Sequence, residues 1–398
     1  MISVHEAKEI LSTNPLSLPD TSLPFQQSLH HTLAADVFAD RDAPPFHRVT
    51  MDGIAIQAAS LKTNKRYRIE GIQAAGQPQR SLSNSNHCLE VMTGAMLPKN
   101  TDCVIPYEKI RLLDGMAEVD SAQYSPYQNV HLQGTDAKKG DRILEKGNWI
   151  HAGKLSVLAS LGHAQVSVRQ LPRVLVCATG DELVPVEQPP LPHQIRSSNV
   201  YMLESALKDL GINAKTAHLA DERQELKDGI EKALKEYQVL LFSGAVSKGK
   251  FDFLPEVFRE LGVDTLIHGV KQKPGKPFLF GRKGDCFVFG FPGNPASTLV
   301  CFHTYFKTWL SNSLQRDTET PSAILAEEVV FNRPVTYHLL VKTTIREGKI
   351  WAVPIKNSGS GDWVHLSEAD AFLSLPADAT VFKKNEVFPI TYFHKDNF

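Results

Sequence analysis

The stretch FVFGFPGNPAS, Phe287 to Ser297, decides how this chain is read. An apolar run ends at Gly290, and then Pro292 and Pro295 bracket Gly293 and Asn294. Asn294 suits a helix N-cap, and Pro295 suits the first helical position, where a missing N–H costs little. The segment therefore predicts a buried strand, a stiff turn and a helix beginning NPASTLVCFHTYF. The N–H groups of that first turn face the end of the strand, which is where anions bind. The same turn also reads as a well-capped helix and nothing more.

The rhythm continues on the N-terminal side of this unit. From Leu171 the runs RVLVCA, AKTAHLA, VLLFSG, LIHGV, FLFG and CFVFGF are interleaved with helical segments near 198–210, 222–235 and 253–261. Short buried strands separated by helices predict a mostly parallel α/β sheet over 171–317. Further upstream, residues 3–12 read as a helix, and Pro44-Pro45 marks a boundary. Residues 46–131 are β-rich, with LLDGMAEV as a hairpin around Asp-Gly. Residues 132–170 hold a short strand, a helix from about 152 to 161 and another strand. If these pack with the N-terminal helix, 1–45 and 132–170 form one discontinuous domain and 46–131 is an insertion in it. After Thr318 the chain returns to short strands, with REGKIWAV as a hairpin, giving a small β domain over 318–398.

Composition narrows the function. The 398 residues carry 43 Lys+Arg against 44 Asp+Glu, which gives no case for a broad nucleic-acid or membrane-binding surface. No apolar run approaches a membrane span. MISVHEAKEIL lacks the apolar core of a signal peptide, so a cytoplasmic protein is expected. The five cysteines form no CxxC, and buried free thiols are expected.

In an open α/β sheet, ligands bind outside the carboxyl ends of the strands. RVLVCA is followed by Thr179, Gly180, Asp181 and Glu182, and AKTAHLA by Asp221. VLLFSG is followed by Ser243, Gly244, Ser247 and Asp252. Lys273 and Lys276 precede FLFG, and the Pro292-Gly293-Asn294-Pro295 turn follows CFVFGF. Asp181 and Asp221 also read as helix N-caps, and the lysines as solvated loop residues. Convergence on one sheet edge is the stronger reading: a phosphorylated ligand with a divalent metal. Oxygen donors favour Mg²⁺ over Zn²⁺. Neither a Walker A sequence nor a GxGxxG after the first strand is present.

With these residues assembled, the chain resembles the molybdopterin molybdenumtransferase family, which includes bacterial MoeA and the C-terminal region of gephyrin. The marks are PPFHRVTMDGIAI, AAGQ, VMTGAMLP, CVIPYE, GTDAKKGD, LASLG, PRVLVCATGDELV, QIRSSN, SGAVSKGKFD, KPGKPFLFG and GFPGNPAS, nearly the whole length. The resemblance implies a MogA-like molybdopterin-binding α/β domain, a β-rich inserted domain and a small barrel-like C-terminal domain. It implies that molybdate is inserted into adenylylated molybdopterin and AMP released, with Mg²⁺ assisting. Family motifs place catalytic roles on Asp52, Glu182, Asp221 and Asp252, the last three also as metal ligands. They place substrate binding on Thr93, Asp136, Thr179, Gly180, Asp181, Ser243, Gly244, Ser247, Lys273, Lys276, Pro292, Asn294 and Pro295. Asp52, Thr93 and Asp136 lie outside the α/β segment, and the resemblance implies a homodimer in which they complete the partner's pocket.

There are departures from the family pattern. Ala245 and Lys248 replace Gly and Val in the SGGVSVG motif, and Gly269 stands where some members carry a lysine, with Lys271 nearby. SAMDGYA reads VTMDGIA. Two rival readings remain at this point. A molybdopterin adenylyltransferase would share the α/β domain but lack both long additions, and a non-catalytic scaffold or carrier would not need so many acids. The resemblance also points to the adenylyltransferase and to acceptor molybdoenzymes as protein partners.

Overall fold

Two strands at the centre of the α/β segment, β1 (Val174–Thr179) and β6 (Cys286–Phe291), are buried at every residue. Their continuous apolar runs require this, because both faces of the sheet are covered. Successive side chains enter opposite layers. Val174, Val176, Ala178, Phe287 and Phe289 join one apolar cluster, while Leu175, Cys177, Cys286 and Val288 join the other. The computed structural model describes residues 1–120, 123–219, 222–244, 253–316, 319–356, 359 and 361–394.

The remaining strands are β2 (Lys215–Leu219), β3 (Val239–Ser243), β4 (Asp264–His268) and β5 (Leu279–Lys283), and the order across the sheet is β2-β1-β3-β6-β5-β4. β2, β1, β3 and β6 are parallel, and β5 and β4 are antiparallel additions at one side. The connecting helices are α1 (Asn199–Lys208), α2 (Arg223–Glu236) and α3 (Leu254–Glu260), and α4 (Pro295–Cys301) follows β6. From β1 the chain moves outward to β2 and then returns to β3 on the other flank. That reversal opens a crevice between the carboxyl ends of β1 and β3, the place where such sheets take ligands.

The chain divides into two compact units. One comprises Met1–Ala35, Gly147–Leu155 and Gln165–Phe398, and the other Asp36–Lys146 with Ser156–Ala164. In the first unit the N-terminal helix Val4–Ser12 starts at a reciprocal cap: Ser3 Oγ accepts from Glu6 N–H and Glu6 Oε2 accepts from Ser3 N–H. Its Ala7 and Leu11 join the α/β core. Asp20–Pro24 pairs with Gln165–Arg169, so the ends of the interrupted N-terminal region meet by strand pairing, not through that helix.

The C-terminal strands close on themselves, because Thr336–Arg346 pairs with both Lys349–Pro354 and Ala371–Leu375. The second unit holds a six-stranded sheet built on Gly53–Ile56, His87–Val91 and Arg66–Gln73, and the Asp114-Gly115 hairpin falls where the sequence places it. All five cysteines are buried free thiols. No described helix is long and apolar enough to cross a membrane.

Candidate functional site

Backbone geometry, more than side chains, builds the rim of the crevice. β1 ends at Thr179 and turns at Gly180, where φ is +131°, and β3 ends at Ser243 and turns at Gly244, where φ is +102°. Both torsions lie where side chains other than hydrogen are strained. Gly244 is also pinched. Its N–H donates to Phe291 O at 3.1 Å, and an added Cβ would sit 2.9 Å from Thr179 O. The ends of β1, β3 and β6 are thus drawn together at one point. β2 reaches the same point through His218, whose Nε2 is 3.1 Å from Gly180 O, which makes Nε2 the protonated nitrogen.

Asn199, at the first turn of α1, ties the rim together. Its Nδ2 donates to Ser243 Oγ at 2.8 Å and to Gly293 O at 2.7 Å. Its Oδ1 is shut off from solvent and has no hydrogen-bond partner among the described residues. A buried acceptor left open is costly unless something is meant to meet it. Nothing in the sequence singles out Asn199 as a site residue, although it closes the QIRSSN motif. The signal available was a polar residue just before an apolar helix, which reads equally as a cap.

The acidic residues are placed as follows. Asp181 is not a helix N-cap, because the chain after β1 runs into the short strand Leu183–Val184, paired with Ile195–Arg196. Glu182 folds back over the turn, and a Cβ on Gly180 would lie 2.5 Å from its Oε2. Asp221, Asp252 and Ser247, and the departures Ala245 and Lys248, lie outside the described residues. Glu222, next to Asp221, caps α2 by accepting from Glu225 N–H at 2.8 Å. Among the described residues no three His, Cys, Asp or Glu side chains stand close enough to hold a metal ion.

The proline turn is rigid, but not through the expected cap. Asn294 has the extended backbone of an N-cap, yet its side chain makes no capping hydrogen bond. Thr298 Oγ1 instead donates to Pro292 O at 2.5 Å and Asn294 O at 3.2 Å, which fixes Pro292, Asn294 and Pro295 from below. The lysine loop lies against the same helix: Gln272 Nε2 donates to Gly275 O at 3.1 Å and stands 3.5 Å from Cys301 Sγ. Lys273 itself belongs to a two-residue strand, Gln272–Lys273, that extends the C-terminal sheet, with Nζ 5.9 Å from the centre of the Phe331 ring. Lys276 closes the loop through Val270 N–H, which donates to its carbonyl at 2.9 Å. Gly269 has φ of +88°, a left-handed position at which a lysine would be strained.

The second unit holds the other three candidates. Asp52 Oδ1 accepts from Thr93 N–H at 2.6 Å and Thr93 Oγ1 at 2.8 Å. The backbone N–H, then the hydroxyl, lower the Asp52 pKa. Asp136 is 2.8 Å from His131 Nε2, and His131 Nδ1 is 3.0 Å from Arg48 Nη2. Arg48 and His131 are direct partners in the strand pair Arg48–Val49 with Val130–His131, and Gly94 N–H donates to Val49 O at 2.9 Å. Arg48 and His131 were not foreseen, since the partners lie 83 positions apart.

Comparison with known proteins agrees in every region. Residues 2–162 match the model of the MoeA N-terminal region (domain I and II), 175–312 that of the probable molybdopterin binding domain, and 322–393 that of the MoeA C-terminal region (domain IV). The chain is 40% identical to a molybdopterin molybdenumtransferase of Synechocystis sp., over 98% of this chain and 99% of the relative. It is 30% identical to the protein of that name from Bacillus subtilis, over 94% and 89%. Among solved structures, two of the molybdopterin biosynthesis MoeA protein from Pyrococcus horikoshii superpose with TM-scores of 0.80 and 0.82. Their identities are 29% and 25%, and they cover 99% and 98% of this chain and 100% of each neighbour.

Proposed function

The chain belongs to the molybdopterin molybdenumtransferase family, and from that membership we propose that it inserts molybdate into adenylylated molybdopterin with release of AMP. The observation that carries the reading is the glycine-pinched meeting of strand ends at the chain reversal, tied together by Asn199. Bare backbone suits a ligand that needs close approach.

The roles follow from placement. Asn199 holds Ser243 and Gly293 in register. Thr179, Gly180, Ser243 and Gly244 set the depth of the crevice, and Lys273, Lys276 and Ser247 hold oxyanions. Mg²⁺ fits the donor chemistry: carboxylate and carbonyl oxygens line the turn, and the buried thiols are held protonated by burial, as with Cys177, pushed up to about 12. Glu182, Asp221 and Asp252 would hold it, and it would supply charge neutralisation at the phosphate link.

Asp52, Thr93 and Asp136 act in the pocket of a second copy, so the working form is a homodimer. This reading keeps the division into 1–45 with 132–170, 46–131, 171–317 and 318–398. It places the protein in the cytoplasm, between molybdopterin adenylyltransferase and acceptor molybdoenzymes. The test is AMP release from adenylylated molybdopterin with and without molybdate and Mg²⁺. Asn199→Leu, which removes both ties, should lose that release. Binding without AMP release would overturn the transferase reading and leave a carrier.

A further inference from the structure

A cavity of about 680 Å³ opens within the unit that contains the α/β sheet, and none of the strand-end residues of the candidate site lines it. Its size suits a small organic ligand. One wall is the helix that continues from α4, with His303, Thr304 and Lys307, and Arg316 follows just beyond that helix. Leu210, Leu310 and Ile390 give it an apolar side.

The wall is short of negative charge. Lys8, Lys307 and Arg316 line the cavity, and among the described lining residues Glu319 is the single carboxylate. Arg316 donates to Thr32 Oγ1 at 3.2 Å and lies 5.8 Å from the Trp149 ring centre, and neither it nor Lys307 makes an ion pair among the described residues. The carboxylate whose field reaches Lys307 is Asp209, which is 3.8 Å from His394. Burial lowers the pKa of both Lys307 and Arg316, which marks their charges as poorly solvated.

A second observation points the same way. Phe302–Phe306 is a π-helical turn, a widening often found at binding sites. On it, His303 and Thr304 are each 5% exposed, and both His303 ring nitrogens and Thr304 Oγ1 have no hydrogen-bond partner among the described residues. The turn therefore sets polar groups directly behind the wall that carries Lys307 and Arg316, and this wall suits an acceptor-rich guest.

We propose that this cavity binds a phosphate monoester with an apolar body, its head against Lys307 and Arg316 and its body along Leu210, Leu310 and Ile390. Three cations against one carboxylate suit a dianionic head, and the guanidinium fork suits phosphate oxygens.

The probe is phenyl phosphate, titrated calorimetrically into the full chain, with phenol as the neutral comparison. One saturable site is expected. Lys307→Met should weaken it at least about tenfold, the loss of one charge-assisted contact. Lys307→Arg should keep it within a few-fold, and Lys276→Met should leave it in place. Phenol should not bind measurably. AMP release should be the same in Lys307→Met as in the parent, so failure here is separable from failure of the transferase reading. Parent-like binding in Lys307→Met, or loss in Lys276→Met alone, would overturn the proposal. If Lys307→Met does not fold, Thr308→Phe fills the cavity from the same helix and should abolish binding; retained binding there would overturn the proposal equally.

Discussion

Replacing Gly244 by alanine tests whether the crevice is set by backbone approach. Gly244 has φ of +102°, and the new Cβ would meet Thr179 O at 2.9 Å and Thr179 Oγ1 at 3.0 Å. The carbonyl cannot swing aside, because β1 is held by β2 on one flank and β3 on the other. A side chain in that torsion costs about 1–2 kcal/mol, and an unrelieved backbone contact adds about 1 kcal/mol more. The lowered entropy of the unfolded chain returns roughly 0.5 kcal/mol. The net loss is about 2 kcal/mol, which for a unit of this size is a fall in Tm of roughly 3–4 °C. Gly284→Ala is the internal control, since Gly284 has φ of +58° and an added Cβ there meets nothing within 4 Å. It should cost about 1 kcal/mol or less. Differential scanning calorimetry of both variants, with AMP release alongside, reads the contrast. Equal Tm values for the two, with full AMP release in Gly244→Ala, would refute the idea that Gly244 is pinched between strand ends.

Other consequences concern pH and subunit exchange. Burial lowers the His303 pKa to about 3, so the unfolded chain binds the extra proton first and stability falls as pH drops below the ordinary value of 6.5. Between pH 7 and 5 the parent should lose about 2 kcal/mol more than His303→Phe in urea unfolding, and parallel curves would contradict the burial. Glu70 is lowered to about 2, first by the Ser83 hydroxyl and then by His87. The stability it lends is present above about 4.5 and is lost as pH falls toward 2, so the gap between parent and Glu70→Gln should close over that window; a gap independent of pH would count against the pair. Mixing Asp52→Ala with Asp252→Ala, each inactive alone, should restore about a quarter of the parent's AMP release, since half the dimers would carry one intact pocket. No recovery after confirmed subunit exchange would remove the assignment to a second copy.

The α/β core was legible in the sequence because its signals are local. VLVCAT and CFVFGF are continuous apolar runs, and burial on two faces is what such runs demand. The Asp114-Gly115 turn is legible for the same reason: it is complete within four residues. What escaped was non-local. The order β2-β1-β3-β6 depends on which buried strands pair, and apolar runs of equal character do not specify their neighbours. Asn199 shows the limit most clearly. Its value lies in reaching Ser243, 44 positions away, and Gly293, 94 positions away, at once.

The same reasoning explains why the lysine loop was placed at the α/β rim from sequence while its strand belongs to the C-terminal sheet. Gln272 and Lys273 pair with Thr336 and Tyr337, a contact that spans 64 residues. Gln272 Oε1 is in turn bonded by Tyr305 Oη and approached by His338 Nε2 at 3.3 Å. The loop is therefore clamped between α4's continuation and the barrel, and its position is set by both. A change on the barrel strand at His338 should move Lys273 and Lys276 without touching either. That makes the C-terminal sheet a positioning element for the lysine loop, not an independent appendage, and it gives a physical reason for the two parts to share one unit.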